Sequence, residues 1–241
     1  QKEQQHPDSR TPLFAETYES GVDFLLQERA ESGLWEFMGH PEPGITALAA
    51  KALLGSARPK VVQQAEVILD YLVSLQKKDG SIHAGNLPVY VTSVAIMALQ
   101  AGGRKEDQPI IQKAGNFLRV TQTDGTEGYS ESDKFYGGIG YGNDLRPDLS
   151  NLQYALQGLK ASGAPTDDPA FQKAILFLQR CQNRKESNPI AVKNAEGNVV
   201  ESSNDGGGIY YPGNSMAGYE KLPNGNVAAL SYGSMTYALL K

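Results

Sequence analysis

Lys113-Ala114-Gly115-Asn116-Phe117-Leu118-Arg119-Val120-Thr121-Gln122 is the stretch from which the fold can be read, because its skeleton recurs along the chain. Its aromatic–leucine pair is one of four: Phe24-Leu25, Tyr71-Leu72, Phe117-Leu118 and Phe177-Leu178. Gln76, Gln122 and Gln182 each stand five residues after the aromatic, and the first copy has Arg29 at that place with Gln27 close by. Three positions before the aromatic come Gly21, Ile68, Ala114 and Ala174, mostly small. The aromatic positions are separated by 47, 46 and 60 residues. Internal repeats of this period mark stacked arrays of short structural units.

Between these copies lies a second set, ending in Ala52-Leu53, Ala98-Leu99, Gly158-Leu159 and Ala238-Leu239. The two types alternate strictly. Offsets within a pair are 29, 28, 42 and 62 residues, so the growth lies in the loop that joins the two members. Both types read as helices. Phe171, Ala174, Ile175 and Leu178 fall on one face at helical spacing, as do Val61, Ala65, Ile68, Leu72 and Leu75. Asp167-Asp168-Pro169 is a helix start, with a carboxylate near the exposed N–H groups and Pro in the first turn. Ile45 to Leu54 and Val91 to Leu99 have almost no polar face, which predicts helices buried all round. The outer set is therefore amphipathic and the inner set apolar. Val199 to Glu201 is the only brief strand-like alternation, and no β-rich region competes with the helices. The expected fold is all-α, an α/α toroid or partial toroid of about four helical hairpins with long connecting loops.

The repeated elements resemble the signature of terpenoid cyclases and protein prenyltransferases. Lys113-Ala114, Phe117-Leu118, Gln122, Gly125 or Gly128, and Tyr129 match it well. Lys173-Ala174, Phe177-Leu178 and Gln182 follow. Tyr71-Leu72, Gln76, Asp79-Gly80 and Ile82 match with Ile in the aromatic slot, and Gly21, Phe24-Leu25, Gly33 and Trp35 match without the Gln. The resemblance runs from Thr17 to Lys241. In it the Gln is expected near a helix C-terminus, where carbonyls lack donors. The Gly permits a left-handed exit. These are structural roles and leave the activity open.

Residues 1–15 are expected to be a polar leader and 16–241 one domain, truncated at Lys241. The leader fits export, periplasmic or secreted. Family toroids have more than four hairpins, so an open arc is expected to bare apolar faces, which points to a homo-oligomer or a missing C-terminal part. The net charge of −5, without a Lys/Arg cluster, speaks against nucleic acid. No apolar stretch is long enough to span a membrane. Cys181 is alone, which excludes an internal disulfide and a cysteine-based zinc site, and it reads as a packing residue.

Squalene cyclases carry an Asp-x-Asp-Asp-Thr-Ala motif before an inner helix, whose middle Asp donates a proton. The matching place here is Asp144-Leu145-Arg146-Pro147-Asp148-Leu149-Ser150. Asp148 lacks the adjacent carboxylates, and Arg146 is expected to lower the pKa of a neighbour. Asp148 therefore reads as a helix N-cap, with an acid role as the alternative. The prenyltransferase zinc ligands are unmatched: Asp148-Leu149-Ser150 lacks the Cys and Ser231-Tyr232-Gly233-Ser234 lacks the His. The thioester setting of complement-like toroids is missing around Cys181. No metal and no cofactor are expected. His40 and His83 occupy loops that lead to inner helices, and read as polar loop residues. Gly138-x-Gly140 does not open a helix after a strand, which rules out a nucleotide loop.

Three functions follow. The resemblance implies an apolar cavity for an isoprenoid, lined by Leu48, Ala49, Ile96, Met97, Leu152 and Tyr154. The alternative is an interaction module that binds a glycan or protein through Tyr/Gly-rich rim loops. Its candidate ligand residues are Trp35, His40, His83, Tyr129, Tyr136, Tyr141, Tyr210 and Tyr211. A third reading is a carbohydrate-active protein with Asp144, Asp148 or Asp205 as acid and base, which needs carboxyl pairs across a groove.

Overall fold

The computed structural model describes residues 12–142, 146–188 and 192–241. Among them are eight α-helices: α1 (Pro12–Gln27), α2 (Pro43–Leu54), α3 (Pro59–Ser74), α4 (Pro88–Gly102), α5 (Gln108–Val120), α6 (Leu149–Ala161), α7 (Pro169–Cys181) and α8 (Gly233–Leu240). The even-numbered helices pack side by side as an inner layer, and each odd-numbered helix lies outside its partner. α1 begins at Pro12, inside the stretch expected as leader.

The inner layer is close-packed because its contact positions are small. A Cβ added to Gly44 of α2 would meet the Tyr90 ring of α4 at 2.5 Å, and one on Gly158 of α6 would meet the Ser93 Cα of α4 at 3.0 Å. The main core runs between α4 and α6 and takes in Val94, Leu99, Leu118, Leu152 and Phe177, all wholly buried. A second cluster, with Val22, Trp35, Leu53 and Ile68, lies under α1, α2 and α3. Burial of such side chains stabilises by roughly 1.5–3 kcal/mol each.

The all-α expectation is corrected by two sheets. A two-residue hairpin pairs β1 (Glu36–Phe37) with β2 (His40–Pro41). The long fourth loop folds into a four-stranded sheet from β3 (Val192–Lys193), β4 (Val199–Ser202), β5 (Tyr219–Lys221) and β6 (Val227–Ala229), in the order β3-β4-β6-β5. β4 runs parallel to β6 and the other pairs are antiparallel. The physical reason is turn chemistry. Met38 and Gly39 both take positive φ, as a tight hairpin requires, and Asn224-Gly225 turns β5 into β6 with Gly225 at φ +85°. Val200, Ile209 and Ala229 form the core under this sheet.

The repeat residues act across hairpins. Gln122 Nε2 donates to Gly137 O and to Ala170 O of α7, both at 2.9 Å. Gln76 Nε2 donates to Gly80 O at 3.3 Å and to Ile110 O of α5 at 2.9 Å. The expected role at the glutamine's own helix end is thus corrected: the amide clamps the exit loop to the next outer helix. Arg29 does the same in the first repeat, with Nε to Gly33 O at 2.5 Å and Nη1 to Gln64 Oε1 of α3 at 3.1 Å.

Cys181 is wholly buried on α7, and burial drives its thiol pKa well above the usual value. We expect no reaction with a thiol reagent such as Ellman's in the native protein, and stoichiometric reaction in guanidinium chloride. Rapid native labelling would show that α7 opens readily.

Candidate functional site

The N-terminus of α6 carries the densest polar chemistry. Asp148 is the N-cap and is fully buried. It accepts the Asn151 N–H and the Asn151 Nδ2, both at 2.8 Å, and a bond from the Tyr210 hydroxyl. Burial holds its carboxyl above the usual range, against the opposing pull of Asn151, Tyr210 and Arg146. The expectation that Arg146 sets a low pKa is therefore corrected: desolvation outweighs it. Tyr210 is itself pushed up, first by burial and then by its bond with Tyr141. Leu149 N–H donates to Tyr210 O at 2.8 Å, so loop four pins the helix start.

Outside this buried core sits an aromatic clasp. The Arg146 guanidinium lies 4.9 Å from the Tyr211 ring centre and 5.9 Å from that of Tyr210. Tyr211 also packs against Phe135 at 6.0 Å. Loop three, between α5 and α6, and loop four, between α7 and α8, are joined here by ring and cation contacts.

Asp205 has a different setting. Its Oδ1 accepts the Gly207 N–H at 2.9 Å and the Ser231 hydroxyl at 2.7 Å. Asp79 accepts the Ser81 N–H at 3.0 Å and Asp124 the Thr126 N–H at 2.8 Å in the same turn of earlier repeats. Burial raises the Asp205 pKa, but the hydrogen bonds from Ser231 and Gly207 more than offset it and leave the carboxyl below its usual value. Asp144 lies outside the described residues.

The remaining expected residues are dispersed. Trp35 is buried, its indole N–H donating to Leu25 O at 3.0 Å. His40 is exposed at the start of β2. His83 is half-buried, accepts the Gly85 N–H through Nδ1 at 2.9 Å, and has its pKa lowered by burial and Lys77. Tyr129 and Tyr136 are half-buried in loop three, and Tyr141 joins Tyr210. Tyr141, Tyr210, Tyr211 and Asp148 are thus brought together, and the first two hairpins' residues stand apart from them. Of the expected cavity lining, Ala49, Ile96, Met97 and Leu152 are packed in the core, while Leu48 and Tyr154 are half-buried. Tyr154 meets Tyr90 edge-on at 5.1 Å. No group of three metal-ligating side chains comes together among the described residues. No helix there is long and apolar enough to cross a membrane.

A cleft of about 650 Å³ opens between α7, the strap Ser132 to Lys134 and the four-stranded sheet. Leu176, Val192, Val200 and Ile209 supply apolar surface. Ser132, Gln179 and Ser202 supply hydroxyls and an amide, while the Asn183 and Asn188 side-chain nitrogens are held by Ala229 O and Ser231 and by the Gln179 and Gln182 carbonyls. Lys134, Arg180 and Lys185 line it together with one carboxylate, Glu201. Arg180 Nη1 donates to Asp133 O at 2.7 Å and Nη2 to Glu131 O, which fixes the strap against α7. Lys134 Nζ sits 4.8 Å from the Phe135 ring centre. No sequence motif joins these residues, although Val200 and Glu201 belong to the strand-like Val199 to Glu201.

Alternating outer and inner helices, tied by a repeated Gln and Gly clamp, define a cyclase-like helical-hairpin repeat protein. Residues 37–197 match the squalene-hopene cyclase C-terminal domain. That is about two-thirds of the chain, and the chain belongs to this family, within the terpenoid cyclase and prenyltransferase α/α toroid superfamily. A crystal structure of a protein from Actinoplanes is similar in fold, with a TM-score of 0.52 and 16% identity over 96% of this chain and 68% of that one. No curated protein matches the chain.

Proposed function

We propose that this chain is a binding module that holds an acidic oligosaccharide in the cleft between α7 and the four-stranded sheet. The lining carries the reading: three cations against one carboxylate, set among amides and hydroxyls over apolar surface. Amides and hydroxyls exchange hydrogen bonds with sugar hydroxyls, and the surplus positive charge favours uronate or sulfate groups. The volume falls in the range of roughly 300–1,000 Å³ usual for ligand sites. Binding without turnover is supported by Asp148, whose carboxylate is buried and already holds three hydrogen bonds.

Native mass spectrometry and calorimetry with acidic oligosaccharides, neutral oligosaccharides, squalene and a polyprenyl diphosphate test this. Acidic sugars should be retained and neutral ones not. The double variant Lys134→Glu/Lys185→Glu should weaken binding at least about tenfold, or about 1.4 kcal/mol, and salt should weaken it too. Retention of squalene, lost in Tyr154→Asp and unaffected by the double variant, would overturn the reading in favour of the inner layer.

A further inference from the structure

Arg58, Arg104, Arg119 and Arg184 each pair with at least one carboxylate. Arg180, in the last turn of α7, does not. It lines the cleft, and among the described residues no carboxylate comes within ion-pair distance of it. Main chain holds its guanidinium instead: Nη1 donates to Asp133 O at 2.7 Å and Nη2 to Glu131 O. A guanidinium has more N–H donors than these bonds use, and the rest meet no protein acceptor among the described residues.

The electrostatics differ accordingly. Carboxylate partners raise the pKa of Arg58 and Arg104, Asp23 and Asp107 foremost. At half-buried Arg180 burial lowers it, and the strap carboxylates of Asp133 and Glu131 do not make up the difference. A cation partly withdrawn from water and bonded only to neutral carbonyls gains from an anion brought to it. The paired carbonyl bonds also fix the plane of the fork, so little side-chain freedom is left to lose on binding. The lysines of the cleft offer compact charges on flexible stems, and Lys134 Nζ already lies 4.8 Å from the Phe135 ring centre.

We propose that Arg180 is the specificity-determining residue of the cleft, pairing the unused edge of its guanidinium with a uronate carboxylate of the ligand, while Lys134 and Lys185 supply general attraction. This rests on the oligosaccharide reading and narrows it from anionic sugars to uronates. A planar carboxylate matches the fork with parallel N–H bonds, a geometry that an ammonium cannot reproduce.

Calorimetry with a uronate oligosaccharide and its methyl ester tests the proposal, since the ester keeps the sugar contacts and removes the charge. The wild-type chain should prefer the acid at least about tenfold. Arg180→Lys keeps the charge and loses the fork, so it should weaken the acid at least about tenfold and leave the ester within about twofold. Lys134→Gln and Lys185→Gln should each weaken the acid by less than about threefold. Arg180→Gln, whose amide can still donate to a strap carbonyl, is the second variant and should split acid from ester in the same way; circular dichroism checks that both fold. A sulfated neutral oligosaccharide of equal charge should bind more weakly than the uronate, and the reverse order overturns the assignment to a carboxylate. Equal losses for acid and ester would mean that Arg180 only pins the strap, and the proposal fails. It fails too if the preference for the acid is missing in the wild type, survives in both Arg180 variants, or disappears in the lysine variants. A wild-type chain that binds no acidic oligosaccharide overturns the oligosaccharide reading itself, whereas uronate binding indifferent to Arg180 overturns this proposal alone.

Discussion

Replacing Gln122 by Ala is expected to lower the unfolding free energy by about 3 kcal/mol, whereas Gln182→Ala costs about 0.5 kcal/mol or less. The two residues share a position in the repeat and differ in what they hold. Gln122 is 2% exposed and gives one amide proton to loop three and the other to the first turn of α7. Removing it leaves both carbonyls without that donor in a site closed to water, and opens a cavity the size of an amide side chain. Gln182 gives a single bond to Gly206 O at an exposed edge, where water replaces it. Near a midpoint transition each kcal/mol moves Tm by roughly 2–4 °C in a chain of this size, so Gln122→Ala should fall by roughly 6–12 °C. Thermal denaturation of the two variants side by side decides it. Equal losses would mean that the repeat glutamine acts locally, at its own helix end, and that the cross-repeat clamp carries no weight.

This contrast marks how far the chain could be read in advance. The alternation of outer and inner helices was legible because it rests on periodicity: the apolar faces of α3 and α7 and the all-apolar run of α4 each announce their layer. Asp168 as the start of α7 was legible as well, from a carboxylate followed by Pro, and its side chain accepts the Ala170 N–H at 2.9 Å. The direction of the glutamine was not. A side chain at a helix end reaches its own carbonyls or a neighbour's with equal ease, and only the packed array says which. The sheet was within reach, since Asn224-Gly225 between Tyr219-Glu220-Lys221 and Val227-Ala228-Ala229 is a strong hairpin signal. Its strands run only two to four residues, too short for an alternation to stand out. The cleft was out of reach altogether. Its walls come from the strap at 132–134, one turn of α7 and strands past residue 192, and no local pattern links them. Buried Asp148 shows the reverse error: Arg146 two residues away suggested a low pKa, while desolvation, a property of the fold, raises it.

Gly137→Ala is the stronger blow to the same clamp, with an expected loss of about 4 kcal/mol or more and a Tm lowered by on the order of 10 °C. Two costs add. At φ +81° an L side chain is strained by roughly 1–2 kcal/mol. The new Cβ would also stand 1.9 Å from the Lys173 carbonyl oxygen, and that oxygen is main chain in the middle of α7, so it cannot swing aside. Relief requires loop three and α7 to part. The parting weakens the Gln122 bond to Gly137 O and the paired bonds between Thr123 and residues 137 and 138, at 2.7 and 2.9 Å. It also lifts Gly138 from the Phe177 ring, which a Cβ on Gly138 would meet at 2.7 Å. Gly128→Ala separates the two costs. Gly128 has φ +86° and open space around it, so it bears the backbone strain alone and should lose about 1–2 kcal/mol. Chemical denaturation of both variants gives the difference directly. A gap of about 2–3 kcal/mol measures the close approach of exit loop and outer helix. A gap near zero would show that the loop yields without moving α7, and that consecutive hairpins are held by their inner helices alone.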